Sequence, residues 1–76
     1  MKMMLSRLPV GLPATVVSMS CDKALARRLR DFGLIPGTTL AVTYRSPCGG
    51  VTALQCRGTV VALRTKDLKL IEVLLP

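Results

Sequence analysis

Three cysteines, four carboxylates and no histidine leave the chain little for proton transfer, nucleophilic attack or metal binding, although a lone lysine or cysteine could still react. Cys21, Cys48 and Cys56 are odd in number, form no CxxC pair and have no histidine to complete a zinc set. Cys48 sits in Ser-Pro-Cys-Gly-Gly, a loop where a thiolate could meet a soft ion, yet one thiolate is not a site. Cys56 alternates with Leu54 and reads as a small buried hydrophobe, as does Cys21. The acids are scattered and give no carboxylate pair for acid–base work, and no serine stands beside a base. Gly49-Gly50 could turn N–H groups toward a phosphate but lacks the P-loop lysine pattern, so a tight turn is its reading. The expectation is a non-enzyme with no catalytic residue, no bound metal, no cofactor and no small-molecule substrate.

What remains is charge. Eleven Lys and Arg against four acids give +7 over 76 residues. Such a surplus favours nucleic acid, an acidic protein face or an anionic lipid surface. A small basic nucleic-acid-binding barrel is the second reading of the sequence. Against it, the charges are spread along the chain, and only Tyr44 and Phe32 could stack on bases. The same shortage of aromatics argues against proline-rich ligands.

These residues need elements to hold them. Val10-Gly11-Leu12-Pro13 reads as a turn into Ala14–Met19, a β-branched run suited to a strand. Ser20 or Asp22 can cap a helix over about residues 22–32. Leu25, Leu29 and Phe32, at i, i+4 and i+7, predict its apolar stripe. Lys23, Arg27 and Arg30 fall on the opposite face, with Asp31 at i+4 from Arg27. Arg28 lies at the stripe's edge, where its stem can rest on the core and its head can bond backbone. Gly33 then supplies a left-handed helix end with Leu34 folding back on it, and Pro36-Gly37 suits a type II turn.

The rest reads as β. Thr38–Arg45 places Leu40, Val42 and Tyr44 on one face. Residues 46–50 are a loop. Val51–Cys56 and Thr59–Arg64 join at Arg57-Gly58 as a two-residue hairpin. Residues 65–69 are a polar turn, where Arg64 is solvated or bonds the turn, before a last strand over 70–74. Five short strands and one helix in a single domain, 1–76, predict a small closed barrel. Reduced thiols and the absence of a secretory segment point to the cytosol, since Arg7 and Pro9 end the first apolar run early. No window approaches a membrane span. The apolar ends, Met1-Lys2-Met3-Met4-Leu5 and Leu74-Leu75-Pro76, make self-association a further expectation.

Arg28-Leu29, Phe32-Gly33-Leu34-Ile35-Pro36-Gly37, Ser46-Pro47-Cys48-Gly49, Val61-Ala62-Leu63-Arg64 and Ile71-Glu72-Val73 occur in that order. Together they resemble the FeoA family of bacterial ferrous-iron-transport proteins. That pattern runs Arg-Leu, a Leu-Gly-Leu/Ile-x-Pro-Gly turn, an Arg-x-Pro-x-Gly loop, Ala-Leu-Arg and a closing Ile-x-Val. The resemblance implies a mainly β, five-stranded SH3-like barrel with one inserted helix. It also implies a non-enzymatic cytoplasmic accessory that binds and regulates a FeoB-type permease with a cytosolic G-protein domain. Location at the inner membrane would come through that partner. Similar domains close iron-dependent repressors as interaction modules.

Two surfaces are the candidates for partner binding. One is the loop tip Pro47, Cys48 and Gly49, which could present a small apolar contact. The other is the basic helix face of Lys23, Arg27 and Arg30, which could steer the domain toward an acidic protein or the membrane's inner leaflet.

Overall fold

The computed structural model describes residues 1–20 and 22–76, so the reading of Cys21 lies outside the described residues. Six strands form one antiparallel sheet: β1 (Lys2–Met4), β2 (Ala14–Met19), β3 (Thr39–Arg45), β4 (Val51–Cys56), β5 (Thr59–Arg64) and β6 (Ile71–Leu74). They pair in the order β1-β6-β2-β3-β4-β5. The mainly β fold with one substantial helix stands as expected, with two differences. There are six strands rather than five, and the sheet does not close, leaving β1 and β5 as its edges.

The added strand is the apolar N-terminus. Lys2, Met3 and Met4 pair with Leu74, Val73 and Glu72, and the Leu75 N–H donates to the Met1 carbonyl at 2.9 Å. Met3 and Leu75 pack against the core, so part of the apolar surplus at the two ends is used within the chain. A 3₁₀ turn at Leu5–Arg7 follows, and it buries Leu5 while Leu8 behind it is buried too. Arg45 holds this turn: its Nη2 donates to the carbonyls of Leu5 at 3.3 Å and Ser6 at 3.1 Å.

Helix α1 (Lys23–Asp31) begins where the Asp22 side chain accepts from the Leu25 N–H at 2.8 Å. Asp22, not Ser20, is therefore the cap. At the other end Leu34 N–H reaches the Leu29 carbonyl at 2.8 Å and Gly33 N–H the Arg30 carbonyl at 2.9 Å. This is the paired closure of a Schellman motif, with Gly33 left-handed at φ 84°. It corrects the predicted stripe. Leu29 and Leu34 are buried, Leu25 is half-buried, and Phe32, at 38% exposed, stays outside. The closure swings Leu34 into the core in the place expected of Phe32.

Strand β3 holds a second correction. Leu40 and Val42 are buried, but Tyr44 is 54% exposed. The register passes from Val42 opposite Leu54 to Tyr44 opposite Ala53, a β-bulge whose extra residue reverses the alternation. Arg57 and Gly58 both have positive φ, at 52° and 77°, which fits the expected two-residue hairpin between β4 and β5. After β5 a single helical turn, α2 (Thr65–Leu68), buries Leu68 beneath the polar residues expected there. The last strand starts at Ile71, one residue later than predicted, and Leu70 is left exposed.

The core is aliphatic, with Leu5, Leu8, Leu29, Leu34, Leu54 and Val73 all fully buried. Its single buried polar side chain among the described residues is Thr52, whose hydroxyl meets that of Thr65 at 3.0 Å. Helix α1 meets the sheet near the β4–β5 hairpin through its C-terminal end, and Arg28 on its inner turn shares a groove with Arg64.

Candidate functional site

Lys23, Arg27 and Arg30 are all exposed on α1 and border one shallow concavity with Ala24 and Ala26 between them. Their spacing brings the three heads onto a single outward face. Asp31, four residues after Arg27, forms no ion pair with it; the described residues hold one ion pair, Arg64 to Asp67 at 3.3 Å. The helix face is thus a patch of unneutralised charge over small apolar side chains.

The loop over residues 46–50 is exposed from Pro47 onward and firmly held. Ser46 N–H donates to the Val51 carbonyl at 2.9 Å, Gly49 N–H to the Ser46 carbonyl at 2.8 Å, and Val51 N–H to Ser46 Oγ at 3.1 Å. Thr65 N–H donates to the Gly50 carbonyl at 3.0 Å and ties the loop to α2. Pro47, Cys48 and Gly49 are presented on a fixed turn.

The two candidate surfaces do not share a concavity. Gly49 is brought together with Arg64, Lys66 and Lys69 around α2, whereas Lys23, Arg27 and Arg30 face elsewhere. Arg28 lies between them in a groove with Arg64, Asp22, Asp67 and Leu70. It is exposed and, among the described residues, bonds no backbone group, contrary to expectation. The arginines that lie on the protein are others: Arg45 on the 3₁₀ turn, and Arg57, whose stem crosses Gly33. Arg57 owes this to its left-handed turn position. Lys66 and Lys69, absent from the sequence-based candidates, stand three apart, a spacing that puts both on one side if the polar turn is helical.

The thiols differ. Cys48 is exposed and free, while Cys56 is buried and donates to the Phe32 carbonyl at 3.9 Å. Burial pushes the Cys56 thiol above its ordinary value of 9.0, against the opposing pull of Arg57. No group of three His, Cys, Asp or Glu that could hold a metal ion occurs among the described residues. No helix is long and apolar enough to cross a membrane.

A mainly β, SH3-like domain with clusters of exposed cations on an inserted helix and on the turn after its fifth strand is the class these features define. The family model of the FeoA domain matches residues 3–75, and the chain belongs to the FeoA family. Among solved structures it is similar to the FeoA protein of Chlorobium tepidum, at 34% identity and a TM-score of 0.91 over 96% of this chain and 70% of that one. It is similar to iron(II) transport protein A of Clostridium thermocellum at 29% identity and a TM-score of 0.91, over 96% of this chain and 45% of that one. A third is the zinc-complexed FeoA of Stenotrophomonas maltophilia, with 35% identity and a TM-score of 0.79 over 93% of this chain and 88% of that one. That protein is described as a prokaryotic SH3 domain protein and a candidate ferrous iron transport activating factor. No curated protein matches the chain.

Proposed function

We propose that the chain is a non-enzymatic cytoplasmic accessory of ferrous iron uptake, binding a FeoB-type permease through its cytosolic G-protein domain. The observation that carries this reading is the FeoA domain match over residues 3–75. The naming of the Stenotrophomonas relative as a candidate transport activating factor agrees with it. The helix face adds a physical reason: Lys23, Arg27 and Arg30 are exposed and unpaired, and such charges speed encounter with an acidic protein surface. Ala24 and Ala26 leave room for a partner's side chains between them. Pro47, Cys48 and Gly49 offer a second, fixed contact. The domain would reach the inner membrane through its partner.

The test is binding to the purified cytosolic portion of the permease at about 50 and about 200 mM salt, with duplex and single-stranded nucleic acid as competitors. Saturable binding that survives the higher salt and ignores the competitors is expected. Replacing Arg27 and Arg30 with Glu should weaken it about tenfold, mainly through slower association. Unchanged affinity in that variant would remove the helix face from the interface. Tight binding to nucleic acid that collapses with salt would replace the accessory reading.

A further inference from the structure

The concavity between the 46–50 loop and α2 has one-sided chemistry. Gly49, Gly50, Arg64, Thr65, Lys66 and Lys69 line it, with three cations and no carboxylate. Asp67, on the same turn, is engaged outside that lining: its Oδ2 accepts from Arg64 Nε at 3.3 Å. This contact fixes the guanidinium by its inner nitrogen and leaves both terminal amino groups free to donate. Thr65 is fixed twice, by its hydroxyl to Thr52 at 3.0 Å and by its N–H to the Gly50 carbonyl at 3.0 Å. Loop and helical turn therefore hold their relative position before any ligand arrives, which lowers the ordering cost of binding. Gly50 keeps an N–H without a partner among the described residues, and a Cβ there would meet nothing within 4 Å.

We propose that this concavity is an oxyanion site for a phosphate group, carried by a free phosphate or by a phospholipid headgroup. A phosphate bears about −1.5 to −2 charge and at least three acceptor oxygens at neutral pH. One planar arginine fork and two mobile ammonium groups match that better than they match a single carboxylate. Asp67 offsets Arg64 alone, and Lys66 and Lys69 have no ion-pair partner among the described residues. The site is separate from the helix face and shares Gly49 with the loop proposed as the second partner contact.

The experiment is an amide-resolved NMR titration of the full chain with sodium phosphate, with chloride balancing the ionic strength. Saturable shifts are expected at Gly49, Gly50, Thr65 and Lys66. The Lys66→Glu/Lys69→Glu variant, both positions exposed, should bind at least about tenfold more weakly with the rest of its spectrum unchanged. Arg27→Glu/Arg30→Glu should bind phosphate as the parent does. Vesicles of phosphatidylcholine with and without phosphatidic acid separate the sources. Binding that needs phosphatidic acid and falls in the Lys66/Lys69 variant assigns the headgroup; phosphate saturation with no vesicle binding assigns free phosphate. Shifts that never saturate, that are equally large around Lys23, Arg27 and Arg30, or that survive in the Lys66/Lys69 variant overturn the proposal.

Discussion

At the scale of single residues, Gly33 and Cys56 give opposite lessons about the contact between α1 and the β4–β5 hairpin. Gly33 is left-handed at φ 84°, and a Cβ there would stand 2.8 Å from Arg57 Cδ. Gly33→Ala should cost about 1–2 kcal/mol from the backbone alone. Arg57 adds a steric part that Arg57→Ala should relieve, so urea midpoints of the four-member cycle should show the double variant more stable than additivity predicts. Cys56 instead makes a pH prediction. Its thiol is raised in the folded state by burial, so the folded chain binds more protons than the unfolded chain once pH passes about 9.0. The stability tied to the neutral thiol is fully present below that value and lost as pH rises through and above it. Melting curves should fall more steeply in the alkaline range for the parent than for Cys56→Ala. A parallel decline in both would show that burial of this thiol has no part in it.

At the scale of elements, α1 depends on its ends. Its nine residues form a helix too short to stand alone in water. Asp22→Ala removes the acceptor of the Leu25 N–H and should lower stability by about 1 kcal/mol in chemical denaturation, while Ser20→Ala should change little. This is also where the sequence was most and least legible. Gly33, Pro36 and Gly37 announce a helix end and a turn through their own backbone limits, and both are found: the Thr38 N–H closes on the Ile35 carbonyl at 3.0 Å with Gly37 at φ 96°. Phe32 and Tyr44 were misread for different reasons. A β-bulge shifts the phase at Tyr44, while Phe32 keeps its helical phase but stands at the last turn, where the Schellman closure brings Leu34 into the core. The cations of the candidate site were legible on α1, where spacing alone fixes a face. Lys66 and Lys69 acquired company only when Thr65 bonded the Gly50 carbonyl across the fold, a contact between distant positions that local patterns do not carry.

For the whole molecule, strand β1 decides what the sheet shows to its surroundings. Its pairing covers β6, and β6 would otherwise be an edge carrying Val73 and Leu74. Deleting residues 1–4 should lower the urea midpoint and raise the oligomeric fraction in sedimentation, because an uncovered strand recruits a replacement. A monomeric, equally stable product would mean that β1 is ornamental. The +7 charge works the other way, keeping copies apart while drawing in anionic partners.

The position of β6 has a consequence for synthesis. It lies between β1 and β2, so the last strand to be made is inserted between the first two. While the chain is still emerging from the ribosome, β2 can already pair with β3, but β1 has no partner strand until β6 is made. Strands β2 to β5 are contiguous and can assemble early, but β1 cannot be joined to them until Ile71–Leu74 is free. Completion of the sheet therefore comes late, and until then β1 and the open side of β2 rely on the chain's positive charge to keep copies apart.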